Sequence, residues 1–199
     1  MGIQIITDSA ADYSAQEIER RRIICVPMSV TFGEETFLDG VNLTKEEFYE
    51  KLIDAKEMPK TAQPSPSQFL EYFEAAKEAG DEVIAILISG ELSGTVQSAA
   101  IAKDMAEYEN IHIIDSKNAT LGMRLLVDRA AFLREQGESV EKIIEEVEAL
   151  IPRIRIYAGL ETLEYLYKGG RLSRSQAAIG SLVNLKPVVA LKDGKVELF

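Results

Sequence analysis

The sequence predicts an α/β protein: a parallel sheet with helices on both faces, followed by a second, smaller mixed α/β domain. The apolar run DEVIAILIS (81–89) is typical of a strand that is buried on both faces of a parallel sheet. Strand-like and helix-like segments alternate up to residue 151, which implies right-handed crossovers between parallel strands. Beyond Arg153 this alternation stops, and VVALKDGKVELF predicts an antiparallel hairpin that turns at Asp193–Gly194.

These observations divide the chain at Pro152, which ends the last helix of the alternating part. We expect an N-terminal α/β domain over residues 1–152 and the start of a second domain over residues 153–199. The sequence finishes on a hydrophobic strand at Phe199, so we expect this second domain to be incomplete here.

The first elements are a strand in IQIITDS (3–9) and a helix from residue 14 to residue 22. Ser14 followed by Glu17 forms the capping-box pattern that starts a helix. The run IICVPMSVTF (23–32) predicts one extended segment, in which Pro27 marks an edge or a bulge.

A turn and a short return strand follow in GEETFLDG, and a helix follows at 44–57. The segment MPKTAQPSP (58–66) contains three prolines and predicts a loop. The next helix has Ser65 as its cap and Pro66 in its first position, and Gly80 ends it.

After the strand at 81–89 we expect a helix at 94–107, then a strand in IHIIDS (111–116). A further helix is expected from about Asn118 to Gln136, with Asn118 acting as its cap, and a last one at 139–151.

The composition of the chain limits the partners that it can bind. The chain has 199 residues and a formal net charge of −11, which disfavours binding to nucleic acid and to anionic membrane surfaces. No apolar run reaches the roughly 18 residues that span a bilayer, so we expect no stable membrane insertion. Cys25 is the single cysteine, which leaves no intrachain disulfide and favours the cytoplasm.

Several enzyme classes lack their motifs. The sequence contains no GxGxxG, no GxxxxGK[ST] and no GxSxG pattern. The single histidine, His112, lies within a predicted strand, where it cannot serve a catalytic triad at a loop tip. One histidine and one cysteine are too few for the usual zinc site, and we predict neither a metal nor a cofactor.

Three polar loops follow three predicted strands: TDSAAD (7–12), SGELSGT (89–95) and DSKNAT (115–120). Because parallel strands end at one edge of a sheet, these loops should meet where such sheets bind ligands. The edge residues are Asp8, Ser9, Asp115 and Ser116. The two aspartates could hold Mg²⁺ for a metal-assisted enzyme that acts on a small anionic substrate, or they could orient hydroxyls and backbone amides. We favour the second interpretation.

The segment ISGELSGTVQSA (88–99) predicts an anion site. Ser93 should open the helix, and Gly94 and Thr95 contribute unpaired backbone N–H groups to its first turn, where the helix dipole attracts anions. Thr61 lies on the proline-rich loop before another helix. Two such hydroxyls that face each other would hold one carboxylate without any lysine or arginine.

Six motifs, in this order, resemble those of the DegV family of bacterial fatty-acid-binding proteins. They are TDSAAD (7–12), TAQPSPSQF (61–69), ISGELSGTVQSA (88–99), IIDS (113–116), LEYLYKGGRLS (163–173) and LVNLKPVV (182–189). The resemblance covers nearly the whole chain.

The resemblance implies a non-catalytic protein that buries one long-chain fatty acid, such as palmitate, between two domains. The hydroxyls of Thr61 and Ser93 would hold the carboxylate. A kinase subunit would then phosphorylate it, giving acyl phosphate for phospholipid synthesis. Arg171 matches a position that contacts this kinase; its simpler interpretation is a turn residue with a surface ion pair.

The chain departs from the family pattern at Ala62, because the usual motif is TSQPS and this sequence has TAQPS. One hydroxyl beside Thr61 is therefore missing. Family members are also longer, and their additional C-terminal part would complete the second domain.

Overall fold

The computed structural model describes residues 2–172 and 186–199. Ser173 and residues 182–185, which belong to two of the motifs above, lie outside these ranges. The strands are β1 (Ile3–Asp8), β2 (Ile24–Val26), β3 (Ser29–Phe32), β4 (Glu35–Leu38), β5 (Lys60–Ala62), β6 (Glu82–Leu87), β7 (Ile111–Asp115), β8 (Ile156–Gly159), β9 (Val188–Lys192) and β10 (Lys195–Leu198). The helices are α1 (Ala15–Arg21), α2 (Lys45–Asp54), α3 (Pro66–Ala79), α4 (Thr95–Ala106), α5 (Thr120–Glu135), α6 (Val140–Leu150) and α7 (Glu164–Lys168).

The central sheet is parallel, with the order β2-β1-β6-β7. Its inner strand β6 is buried on both faces, as its continuous apolar sequence predicts. Ile84 and Ile86 enter the core that α5 and α6 cover, whereas Val83 and Ala85 enter the core that α3 and α4 cover. The α/β class with helices on both faces is therefore confirmed.

The predicted helix boundaries follow from capping. Ser14 and Thr44 each form a capping box, with Glu17 and with Glu47. Ser65 caps α3, which has Pro66 in its first turn and ends at Gly80 with φ of +68°. Glycine adopts this left-handed conformation most easily because it lacks a Cβ atom, so Gly80 favours the end of the helix at this point.

The run 23–32 forms two strands in two different sheets, which corrects the prediction of a single extended segment. The chain leaves the parallel sheet after β2, at Pro27, and enters an antiparallel sheet with the order β4-β3-β5. The Met28 amide donates to Ser9 Oγ at 3.1 Å and so fixes the crossing point. Residues 60–62, predicted as loop, form β5, because β3 offers them a free edge.

Asn118 does not cap α5, so that prediction is wrong. The helix begins at Thr120 after Ala119, which has no side-chain cap. Asn118 instead folds back: its Nδ2 donates to the Ser116 carbonyl at 2.9 Å, and its backbone amide donates to Ser116 Oγ at 3.1 Å. Because the Asn118 side chain is held in this compact turn, it is not placed to cap α5.

The last strands form an antiparallel sheet with the order β10-β9-β8, and the predicted hairpin is present. Both of its turn residues, Asp193 and Gly194, have positive φ, as a two-residue hairpin turn requires. A small core of Leu163, Leu172 and Val189 lies beneath this sheet. Across the described ranges, none of the helices is long and apolar enough to pass through a membrane.

Replacing Phe73 by alanine tests the core between α3 and the sheet. Phe73 is fully buried and its ring centroid lies 6.0 Å from that of Phe69. We expect Phe73→Ala to lower the free energy of unfolding by about 3–5 kcal/mol, through lost burial and the cavity left behind. Ile53→Ala, at a site that is 83% exposed, is the control and should change it by less than about 0.5 kcal/mol in urea denaturation. A loss below about 1 kcal/mol for Phe73→Ala would contradict this packing.

Candidate ligand site

A cavity of about 550 Å³ lies between the carboxyl edge of the central sheet and the β8-β9-β10 sheet. Its wall is largely apolar. The first part of the wall comes from segments at the ends of central strands, and the second part comes from the antiparallel sheet. Representative residues are Met28, Ile88 and Leu92 in the first part, and Ile156, Val189 and Leu191 in the second.

Polar side chains line the same cavity. Thr61, Ser93 and Arg171 were predicted from the sequence, and Gln63 joins them. Ala62 also lines the cavity and adds a methyl group where the family pattern has a hydroxyl. The arrangement therefore combines an extended apolar wall with a few hydrogen-bonding groups, among which Arg171 at the rim is the charged one in the described part of the chain. Such a combination is typical of sites for amphipathic ligands.

Ser93 does not open α4 as the sequence predicted, because it lies one residue before the N-cap of that helix. The N-cap of α4 is Gly94, and no side chain caps this helix. The Ser93 amide donates to the Ser89 carbonyl at 3.1 Å, and Ser93 Oγ lies 2.9 Å from Thr95 Oγ1. Because Ser93 does not act as a cap, its hydroxyl can accept from Thr95 and still donate to a ligand.

Thr95 supports the Ser93 hydroxyl from outside the cavity. Its side chain is fully buried behind Ser93, and it is not part of the cavity wall. Thr61 lies on β5, opposite Val30 of β3, and not on a free loop as predicted. An edge strand holds a side chain more firmly than a loop does, since its backbone is paired.

Asp8 organises the edge of the sheet. It is completely buried, its Oδ2 accepts from the Ile88 amide at 2.8 Å, and its Oδ1 accepts from the Ala10 amide at 3.0 Å. Burial raises the pKa of the Asp8 carboxyl to about 6, against the lowering effect of these two hydrogen bonds. The carboxylate thus fixes Ile88, which is part of the cavity wall.

Asp115 likewise serves backbone groups. Its Oδ1 accepts from the amides of Lys117 at 2.9 Å and Gly90 at 3.3 Å, and its Oδ2 pairs with Lys117 Nζ at 2.8 Å. Ser116 is buried in the turn with Asn118, and neither aspartate lines the cavity. In residues 2–172 and 186–199, no three histidine, cysteine, aspartate or glutamate side chains are grouped to hold a metal ion.

Arg171 is exposed at the rim of the cavity. Its Nε donates to the Leu92 carbonyl at 3.0 Å, and a second guanidinium nitrogen donates to the Gly169 carbonyl. Within the described residues Arg171 has no ion pair of the kind that the simpler interpretation supposes; its guanidinium bridges the 163–172 segment to the loop before α4.

Ser89 was not assigned a role from the sequence. It is fully buried, and its Oγ donates to the Gly194 carbonyl at 2.8 Å. This bond joins the β9-β10 hairpin to the edge of the central sheet. The two residues are 105 positions apart, and no local pattern relates them.

The comparisons with known proteins agree with this geometry. A family model described as "Uncharacterised protein, DegV family" matches residues 2–199. The chain belongs to the DegV family. A DegV domain-containing protein from Caldanaerobacter subterraneus, TTE1491, is 43% identical over 196 residues, which are 98% of this chain and 70% of that protein. The resemblance inferred from the six motifs is confirmed.

Solved DegV structures share the fold. A DegV family protein from Thermus thermophilus that binds fatty acid superposes with a TM-score of 0.90 at 37% identity, over 100% of this chain and 71% of that one. A stearic acid-binding protein from Eubacterium ventriosum gives 0.92 at 35% identity, over 100% and 70%. DegV from Bacillus subtilis, a fatty acid binding protein, gives 0.86 at 36% identity, over 98% and 70%.

The burial of Asp8 predicts an unusual titration. Its pKa is raised from 3.8 to about 6, whereas that of Glu17 is lowered to about 2 by the Ser14 amide and by Arg124. Between about pH 4 and 6 the folded state holds the Asp8 proton and the unfolded state does not, so the contribution of Asp8 to stability falls as the pH rises. Carboxyl-carbon NMR should give a midpoint near 6 for Asp8, with Glu17 as the internal control. A midpoint below 4 for Asp8 would contradict its buried environment.

Proposed function

We propose that this DegV protein binds one long-chain fatty acid in the 550 Å³ cavity, with its carboxylate at Thr61 and Ser93. The observation that carries this proposal is the placement of the Thr61 and Ser93 hydroxyls in the wall of one largely apolar cavity, which the hydroxyls of Thr120, Thr162 and Tyr165 also line. Relatives of known structure at 35–37% identity bind fatty acids, which supports the same ligand class here.

Most of the affinity would come from the acyl chain. Each buried methylene contributes about 0.8 kcal/mol, so a chain with about 14 methylenes gains roughly 11 kcal/mol before the cost of association is subtracted. The head group must leave water, and its hydrogen bonds mainly offset that desolvation. Thr61 and Ser93 therefore set the orientation of the ligand more than its affinity.

The neutral donors suit a carboxylate that reacts while it is bound. In the proposed role, a kinase subunit brings a nucleoside triphosphate to the cavity rim. A carboxylate oxygen attacks the terminal phosphorus, the bond to the nucleoside diphosphate breaks, and acyl phosphate forms for phospholipid synthesis. A buried lysine or arginine partner would hold the carboxylate as an ion pair and reduce its nucleophilicity.

The rest of the proposal concerns the surroundings of the ligand. Residues 1–152 are proposed as one domain and residues 153–199 as the start of a second, and the acid would lie between the two. Arg171 is the proposed contact for the kinase, since it is exposed at the cavity rim beside Leu92. The chain itself would need no catalytic group or cofactor in this role. We propose that the pair acts in the cytoplasm, where the kinase has its nucleotide.

The alternative, a metal-assisted enzyme at the same edge, is less well supported. It requires Asp8 and Asp115 to share a cation. The oxygens of both carboxylates already accept hydrogen bonds from backbone amides or pair with Lys117.

Ser93→Ala tests the placement of the carboxylate. The Ser93 bond mainly offsets the desolvation of the carboxylate, so its removal leaves that buried charge with one donor fewer. This costs about 1.5–3 kcal/mol, and palmitate affinity should fall roughly 10- to 100-fold in isothermal calorimetry. Ser67→Ala is the matched control, because Ser67 is exposed on α3 and lies outside the cavity wall. Unchanged affinity in Ser93→Ala would remove Ser93 from the site.

The ligand class is tested separately by mass spectrometry of an organic extract of the purified protein. We expect a fatty acid of 16 to 18 carbons, the size class of the stearic acid bound by the relative from Eubacterium ventriosum, at about one molecule per chain. If no fatty acid copurifies and added palmitate does not bind, the proposed function is wrong.

A further inference from the structure

We propose that Gln63 is a specificity-determining residue of this site: its side-chain amide rests on Gly94 and donates a hydrogen bond to the ligand carboxylate. This inference rests on the proposed function and deepens it, because it names a third neutral group that selects an ionised acid.

The first observation is a close approach between Gln63 and the start of α4. A Cβ atom added to Gly94 would lie 2.6 Å from Gln63 Nε2, 3.0 Å from its Cδ and 3.4 Å from its Oε1. The amide group therefore occupies the space that any side chain at position 94 would fill. Gly94 has φ of −74°, a value open to every residue, so the glycine is required for space and not for backbone conformation.

The backbone of Gln63 is held on both sides. On its N-terminal side, Thr61 and Ala62 pair with Val30 and Ser29 of β3. On its C-terminal side comes Pro64, whose side chain is buried and whose ring restricts the backbone of the residue before it. The side chain is consequently aimed at the first turn of α4 by the chain around it.

The second observation is that Gln63 lines the cavity together with Thr61 and Ser93. Gln63 follows Thr61 on the same segment, and its contact with Gly94 joins that segment to the one that carries Ser93. It therefore adds an amide donor beside the two hydroxyls. An amide N–H next to the N-terminus of a helix favours a negative charge, and a carboxylate in its place would repel one.

The test compares Gln63→Glu with the wild-type protein for two ligands of equal chain length, palmitic acid and hexadecanol, above neutral pH. We expect the affinity for the acid to fall at least about tenfold, because two carboxylates would lie within a few ångströms of each other. The affinity for the uncharged alcohol should change less than about threefold. Gln97→Glu is the matched control, because it adds the same charge at an exposed residue in the first turn of α4 that does not line the cavity.

A double-mutant cycle tests the contact itself. The methyl group of Gly94→Ala should displace the Gln63 amide and weaken palmitic acid binding, and this effect should shrink at least about threefold in a Gln63→Ala background. Additive losses would overturn the contact.

The outcomes separate the two proposals. A wild-type protein that binds neither ligand overturns the proposed function, and this inference with it. A wild-type protein that binds palmitic acid, with Gln63→Glu binding it equally well, overturns only the role of Gln63. Equal losses for acid and alcohol in Gln63→Glu would also overturn it, since they would show a structural role without selection of charge.

Discussion

The structure depends on the burial of β6 on both faces. Only a strand covered by helices on each side can carry the run from Val83 to Leu87 without a polar residue, and its parallel neighbours β1 and β7 must then end at the same edge. The loops that follow β1, β6 and β7 therefore lie side by side at that edge. The buried Asp8 carboxylate joins two of them by accepting from the Ile88 amide, so the wall of the cavity is tied directly to the core.

The sequence predicts what depends on local rules. Capping boxes set the starts of α1 and α2, the apolar run 81–89 sets β6, and the two residues Asp193–Gly194 set the last hairpin. It fails where a distant partner decides. β5 exists because β3 offers a free edge for it to pair with, and Asn118 donates to the carbonyl of Ser116 instead of capping α5.

The candidate site shows the same division. Thr61, Ser93 and Arg171 were found because hydroxyl-rich loops and family motifs mark them, and all three line one cavity. Gln63 and Ser89 lie within the same motifs, but nothing local in the sequence distinguishes them from their neighbours there. Their roles depend on contacts with Gly94 and Gly194. From the sequence alone, a glycine that is needed to leave space for a neighbouring side chain cannot be told from a glycine that is needed for a turn. The sequence also does not mark the residues of β8 and β9 that form the apolar wall, because their alternating pattern is that of any sheet with one buried face.

The chemistry of the cavity follows from the placement of its few polar groups in a largely apolar wall. Neutral hydroxyls and an amide orient a carboxylate without neutralising it, and the long apolar wall supplies the affinity that the head group lacks. The most direct measurement is a crystal structure with a fatty acid brominated at its terminal carbon. The account predicts a carboxylate within hydrogen-bonding distance of Thr61 and Ser93, and an anomalous bromine peak deep in the apolar part of the cavity. A bromine peak beside Thr61 and Ser93, or a ligand outside the cavity, would contradict it.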